Sequence, residues 1–398
     1  WRYTDVNGDP VMLTDGYAEL RRSYNDKKWI TEESYYDTEG KLLLRSSGYA
    51  VVERGYDNVG NVTRERYLDT ERQPVLNTSG YAEIQRVYNS ENRVIKEAYF
   101  DTDGSPLALS KNQAAIEYEY DTEGNCVRYL YLDTEGNPVL LTDGWAELRR
   151  VYNVKKQIVE ESFYDTNGVL MLRPNGYAVA EYAYDDANNR NYERYLDTDR
   201  NPVKNTGGYA ELHREFDNQR RVIKDSYFDE NSLPVALSKN QAGVEYGYDK
   251  MGNTVLYRYF DTSGAPVMLT DNYSELRRVY NDSRKLAEES YYDTNGNPSD
   301  IYDRYAKYEN KYDDNNVLAL TYFTNAAGEP VQCGSSFFHE YLQSLKDRDI
   351  TIFISIKDEG THSLTKVLLN DLKEIGIKTD LSDKYHNSFY AVITPEGS

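Results

Sequence analysis

Acidic side chains at regular spacing are the first candidates for chemistry in this chain. The string Asp5-Val6-Asn7-Gly8-Asp9 and the Asp-Thr-Glu-Gly strings after it place alternating oxygen donors before a glycine, an order that can wrap a hard cation. No glutamate follows at the spacing that would close an EF-hand loop, so that pattern is not met. The same strings read as plain turns, with aspartate capping through its side chain and glycine in the left-handed position. Glu33, Glu65 and Glu97 offer carboxylates, but acids of this kind recur along the chain, whereas a glycosidase pair is normally unique. His339, His362 and His386 stand at no zinc spacing, and Cys126 and Cys333 suit neither a metal site nor a close disulfide. No phosphate-cradling glycine loop or activated nucleophile is present. The expectation is a protein without catalytic residues, resident metal or cofactor.

The second candidate chemistry is aromatic. The chain has 398 residues, only 39 % of them hydrophobic, with a mean hydropathy of -0.80, yet it carries 40 tyrosines. Tyrosine rings can be buried while their hydroxyls reach a partner, which suits a thin structure with little deep interior. A formal charge of -21 without a basic stripe repels a phosphate backbone and excludes nucleic acid as a partner. No apolar run is long enough for a transmembrane segment. The chain reads as a piece of a larger bacterial protein, extracellular or at the cell surface, with a cytoplasmic, membrane-associated setting as the alternative.

The elements that position these side chains follow from an internal repeat. Asp5, Asp37, Asp69, Asp101, Asp133, Asp165, Asp197, Asp229, Asp261 and Asp293 are each 32 residues apart, which marks a repeat protein. In "YAELRRSYN", Ala18, Leu20 and Tyr24 share a face, and in "WITEESYYDT", Ile30 and Tyr36 lie on one side with Tyr35 on the other; both read as strands. Short loops such as "NDKK" join them into a hairpin. A short extended piece led by Pro10, Pro74, Pro106, Pro138, Pro202, Pro234 or Pro266 follows the Asp-x-x-Gly turn.

Gly16, Gly48, Gly80, Asn112, Gly144, Gly176, Gly208, Asn240 and Asn272 share one slot, so a positive φ is predicted there, with Arg304 the exception. A lone hairpin is marginal in water, so the hairpins must stack into a quasi-one-dimensional array. Similar strings also recur every 128 residues, with "SKNQA" at 110–114 and again at 238–242. Two causes fit: a superhelix with about four hairpins per turn, or duplication of a four-unit block without geometric meaning. Gln113 and Gln241 replace a tyrosine in the same units in which Tyr129 and Tyr257 replace the Glu33-type acid, which predicts that the two slots touch.

This phase of the strands places Ala18, Leu20, Ile30 and Tyr36 inward. Tyr35, Tyr67, Tyr99, Tyr131, Phe163, Tyr195, Tyr227 and Tyr259 then face outward beside Glu33, Glu65 and Glu97, as a shallow ligand-binding surface for stacking on sugar rings. The alternative is that these outward rings cover the neighbouring hairpin.

The "YLDTEGNPVLLTDGW" string resembles the aromatic/glycine repeats of bacterial cell-wall-binding and glucan-binding proteins, although those units are shorter and richer in tryptophan. The resemblance implies stacked hairpins and non-catalytic attachment to a glycan or cell-wall polymer. Near residue 333 the composition changes: "FFHEYLQSLK" looks helical, "ITIFISIKD" is a buried-strand run, "SLTKVLLNDLKEIG" has helical apolar spacing and "SFYAVIT" is a further strand. This order is similar to part of the interleukin-like EMT inducer family, without its opening strands and cysteines, and with His386 where an arginine is expected.

The fold class expected is therefore mainly β: a solenoid of tandem 32-residue hairpins over residues 1–332 and a small α/β module over 333–398. The function expected is carbohydrate binding or scaffolding within a larger protein, with two alternatives. One is a structural stalk or protein-docking solenoid, including self-association; the other is a calcium-dependent adhesin.

Overall fold

The computed structural model of the chain describes residues 1–331, 334–346, 351–356, 364–377, 379, 381 and 389–393. Cys333, His362 and His386 lie outside the described residues. The fold is mainly β, with twenty strands forming ten hairpins, from β1 (Glu19–Tyr24) and β2 (Ile30–Tyr36) to β19 (Lys307–Tyr312) and β20 (Leu318–Thr324). Tandem hairpins are the architecture that the 32-residue period predicts, and the small α/β part is what the change of composition near residue 333 predicts.

The chain divides into two compact units, residues 1–185 with 192–211, and residues 186–191 with 212–398. In the first, β2 pairs antiparallel with β1 inside its hairpin and with β3 (Val51–Tyr56) of the next, Glu33 standing opposite Val52. The same alternation continues to β11 (Val179–Tyr184). The second unit repeats it from β14 (Val222–Phe228) through β15 (Gly243–Tyr248) and β16 (Thr254–Phe260) to β20. The proline-led pieces form single bridges, such as Leu68 with Pro74, beyond the strand ends.

The glycine/asparagine slot has positive φ at every position named, from +81° at Gly16 and +85° at Gly144 to 69° at Asn272. The drifted unit with Arg304 moves the left-handed residues to Tyr302 and Asp303, so the turn survives without a glycine. Asparagine adds a bond that glycine lacks: Asn112 Nδ2 donates to Leu140 O and Asn240 Nδ2 to Met268 O, each reaching the following unit.

The same bulge recurs in eight of the hairpins. The register of β1 and β2 runs Leu20 to Tyr35 and Arg22 to Glu33, then shifts so that Tyr24 stands opposite Ile30. This corrects the expected phase of the second strand. Tyr35, not Tyr36, shares the face of Leu20; Ala18, Leu20 and Tyr35 are buried, while Ile30 and Tyr36 are half-buried. Alternation within a strand fixes which residues share a face, but only the cross-strand register says which faces match, and one extra residue reverses the answer.

In the second unit the helix α1 (Gly334–Leu345) packs against β20 and against α2 (Lys366–Glu374). Strands β21 (Ile352–Ile356) and β22 (Phe389–Ile393) pair antiparallel. Leu342, Leu345, Leu372, Ile375, Ile377, Leu381 and Ile393 form their common core. The helix α2 begins at Thr365, whose side chain accepts the Leu368 amide as an N-cap.

Candidate functional site

The residues singled out from the sequence lie in two ladders that run from hairpin to hairpin. The first is aromatic. Rings from Tyr3 through Tyr17, Tyr35, Tyr49, Tyr67 and Tyr81 to Tyr99 follow one another with centroids 4.8–6.2 Å apart. A second run goes from Tyr131 through Trp145, Phe163, Tyr177 and Tyr195 to Tyr209, and a third from Tyr259 through Tyr273, Tyr291 and Tyr305 to Phe323. Edge-to-face and tilted contacts of this kind add to the stabilisation that area burial supplies. Gln113 and Gln241 stand in the ring slot between these runs.

The expected outward surface is therefore inside. Tyr35, Tyr67, Tyr99, Phe163 and Tyr195 are buried, and Tyr131, Tyr227 and Tyr259 are half-buried. Glu33 is buried as well, with Glu65 and Glu97 half-buried. Burial raises the hydroxyl pKa of Tyr35 and Tyr67 above the usual tyrosine value.

The second ladder is ionic. Arg54 donates to Glu33 of the preceding hairpin at 2.8 Å and to Glu65 of its own at 3.1 Å. Arg86 repeats this with Glu65 and Glu97 at 2.9 and 2.8 Å. Burial opposes ionisation of Glu33, but the hydrogen bonds from Arg54 and Arg22 outweigh it and hold its carboxyl below the usual range. In the fourth kind of hairpin the pair becomes aromatic: Tyr118 replaces the arginine, donates to Glu97 at 3.0 Å and packs edge-on against Tyr129 at 5.6 Å. Arg150 then donates to the Tyr129 hydroxyl at 3.1 Å and to Glu161 at 2.8 Å. The residue opposite Tyr129 is thus Tyr118, and the correlated change is an Arg–Glu pair exchanged for a Tyr–Tyr pair. Burial pushes the Tyr129 hydroxyl up to about 12.

Two sets of positioning residues escaped the sequence reading, and a third, the periodic tyrosines from Tyr24 onward, is legible there without its bond to the preceding unit. The ladder arginines recur at 22, 54, 86, 150, 214 and 278, a signal legible in the period. Arg72 and Arg200 occupy the glycine position of the Asp-x-x-Gly turn with φ of 63° and 65°, and reach back to Glu32 and Glu160. An arginine where glycine is the rule was their signal. Tyrosines that end first strands stitch adjacent units: Tyr56, Tyr88 and Tyr120 donate to the carbonyls of Ile30, Val62 and Val94 at 2.6–2.8 Å.

The acidic turns close on themselves. Asp5 Oδ1 accepts the amides of Asn7 and Asp9 at 2.8 and 3.0 Å, and Asp133 and Asp293 do the same in their turns. These backbone bonds lower the Asp5 pKa. Among the described residues no group of three or more histidine, cysteine, aspartate or glutamate side chains is placed to hold a metal. His339 Nδ1 lies 2.6 Å from Asp371 Oδ2, an α1–α2 contact. Cys126 is half-buried with its thiol free. Among the described residues no helix is long and apolar enough to cross a membrane.

No family model matches this chain, and a search of curated proteins finds no match. Among solved structures, the TcdB2-TccC3 complex matches with 12 % identity over 80 % of this chain and 19 % of that one, at a TM-score of 0.24. The Tc holotoxin pore of Photorhabdus luminescens matches with 9 % identity over 78 % of this chain and 20 % of that one, at 0.23. A porin-like protein from Bacteroides uniformis matches with 8 % identity over 60 % of this chain and 87 % of that one, at 0.22. This chain spans about a fifth of the toxin chains it matches. Scores this low carry no argument about its function.

Proposed function

We propose that the hairpin array is a non-catalytic scaffold within a larger bacterial protein, a stalk or docking framework that sets the spacing of what it carries. The observation that supports this reading most directly is the inward use of its chemistry. Rings and carboxylates that would otherwise serve as a repeated ligand surface pack against the next hairpin and pair with its arginines.

The carbohydrate-directed reading needs rings on the outer face instead. Candidates there are the half-buried Tyr36, Tyr164 and Tyr292, whose rings already lie under Arg21, Arg149 and Arg277 at 4.0–4.1 Å. Glycan-array binding of the intact protein separates the two. The scaffold reading expects no saturable binding at millimolar sugar; selective binding abolished by Tyr36→Ala, Tyr164→Ala and Tyr292→Ala together, with the fold retained, would replace it. The calcium-adhesin alternative is checked in the same preparation, where the scaffold reading expects one melting temperature in calcium and in chelator.

A further inference from the structure

A cavity of about 230 Å³ opens on the outer face of β14, β15 and β16. Phe228 and Phe260 stand in its wall, Gly243 lies between their strands, and Pro234, Lys224 and Glu245 are also among its lining residues. Ser226 stands opposite Gly243, and Gly243 opposite Phe260, so one cross-strand row has no side chain at its middle position. The other units have Glu19, Val51, Glu83, Ala115, Glu147, Val179, Glu211, Glu275 or Lys307 at that position. Gly243 alone leaves the space between two phenylalanines open.

The repeat also shows what normally covers a ring at the Phe260 position. Arg21 lies over Tyr36 at 4.0 Å, Arg149 over Tyr164 at 4.1 Å and Arg277 over Tyr292 at 4.0 Å, each from the residue fifteen places earlier. In the same relation the His213 ring lies 4.3 Å from that of Phe228. Units with an acid there, Glu53, Glu117, Glu181 and Glu309, have no ring to cover, because their partners are Leu68, Leu132, Leu196 and Thr324. Phe100 has the uncharged Gln85 in the covering position, and Phe260 departs furthest from the rule: it is aromatic, and the residue there is the acid Glu245. Lys224 Nζ approaches Glu245 only to 3.9 Å, with both side chains about 40 % exposed, a loose pair.

We propose that this cavity binds an arginine side chain presented by a basic segment of a partner protein. A guanidinium is planar, stacks on aromatic faces and sheds water more readily than an ammonium, so it suits a space walled by two rings. Glu245 supplies the counter-charge, and the ligand stands where three other units carry a guanidinium of their own. The net charge of -21 attracts a basic partner.

The test uses the intact protein labelled with fluorophenylalanine, whose ten phenylalanines give a tractable fluorine spectrum. Phe260→Leu, which copies the residue of the equivalent unit at Leu132, assigns the Phe260 signal. Acetyl-Gly-Arg-Gly-amide, its lysine counterpart and methyl glucoside are titrated in turn. The Phe228 and Phe260 signals should shift saturably with the arginine peptide and respond about tenfold more weakly to the lysine peptide. Glu245→Arg, which places a guanidinium over Phe260 from within, should abolish the response without lowering the melting temperature. If Glu245→Arg does not fold, Phe260→Leu read at the Phe228 signal takes its place, with about tenfold weaker binding expected. Unmoved signals, equal response to lysine, a response only to the glucoside, or undiminished binding in a folded variant would each overturn the proposal.

Discussion

At the scale of single residues, the carboxylates of Glu33, Glu83 and Glu147 titrate below their ordinary value of 4.5, because arginine hydrogen bonds outweigh the burial that opposes ionisation. A depressed folded-state pKa contributes stability that is present above the unfolded value and is lost as pH falls through the folded one. The buried tyrosines act at the other end: Tyr67 and Tyr99 are raised from 10.0, so their contribution is complete below that value and is lost as pH rises through the folded one. The melting temperature is therefore expected to be flat across neutral pH and to fall below pH 4.5 and above pH 10. A melting temperature that is maximal near pH 4 would contradict the assignment. At the same scale, Tyr88→Phe removes one hydroxyl bond to the Val62 carbonyl and should cost about 1 kcal/mol in urea unfolding.

At the scale of the element, the hairpin, its turn residue and its period were legible in the sequence, because each depends on local chemistry. Positive φ at Gly144 follows from the glycine/asparagine restriction alone, and Gly144→Val should cost about 2 kcal/mol through left-handed strain. A Cβ there would also stand 3.2 Å from Pro174 Cδ, so thermal melting should show a loss. The face of Tyr35 was not legible, because Thr31 is an extra residue that breaks the alternation of the second strand and sets Ile30 and Tyr35, not Ile30 and Tyr36, opposite Tyr24 and Leu20. With that register Tyr67 packs between Tyr49 and Tyr81, and Tyr67→Ala should cost about 3 kcal/mol by leaving a cavity. Tyr24→Ala, on a half-exposed ring, should change stability by less than about 0.5 kcal/mol. Equal costs for the two would restore the outward reading of the Tyr35 slot. The arginine ladder was readable in principle, since arginine and acid both keep the 32-residue step. Yet neither strand read alone says that Arg54 reaches Glu33 across the gap between hairpins.

At the scale of the whole molecule, the open question is whether the 128-residue super-period has structural meaning. Contacts in the first compact unit repeat at that interval: Arg72 reaches Glu32 as Arg200 reaches Glu160. Arg45 lies 4.3 Å over Tyr35 as Arg173 lies 4.1 Å over Phe163. Tyr36 bridges Leu42 as Tyr164 bridges Leu170. Deleting residues 37–164 joins Tyr36 to Asp165 and rebuilds all three relations with Arg200, Arg173 and Leu170 as the new partners. Deleting only residues 37–68 removes one hairpin, joins Tyr36 to Asp69, and leaves Glu32 facing Gly104 in place of Arg72. Repeat stability is approximately a sum of unit and nearest-neighbour terms, so the matched junction should preserve the melting temperature within about 3 °C. The denaturant slope should fall by about a third, in proportion to the chain removed. The shorter deletion should melt lower despite losing fewer residues, because its junction joins faces that do not match. If the two deletions melt alike, or if the shorter one is the more stable, the four-hairpin order records duplication alone and the geometric reading of the super-period fails.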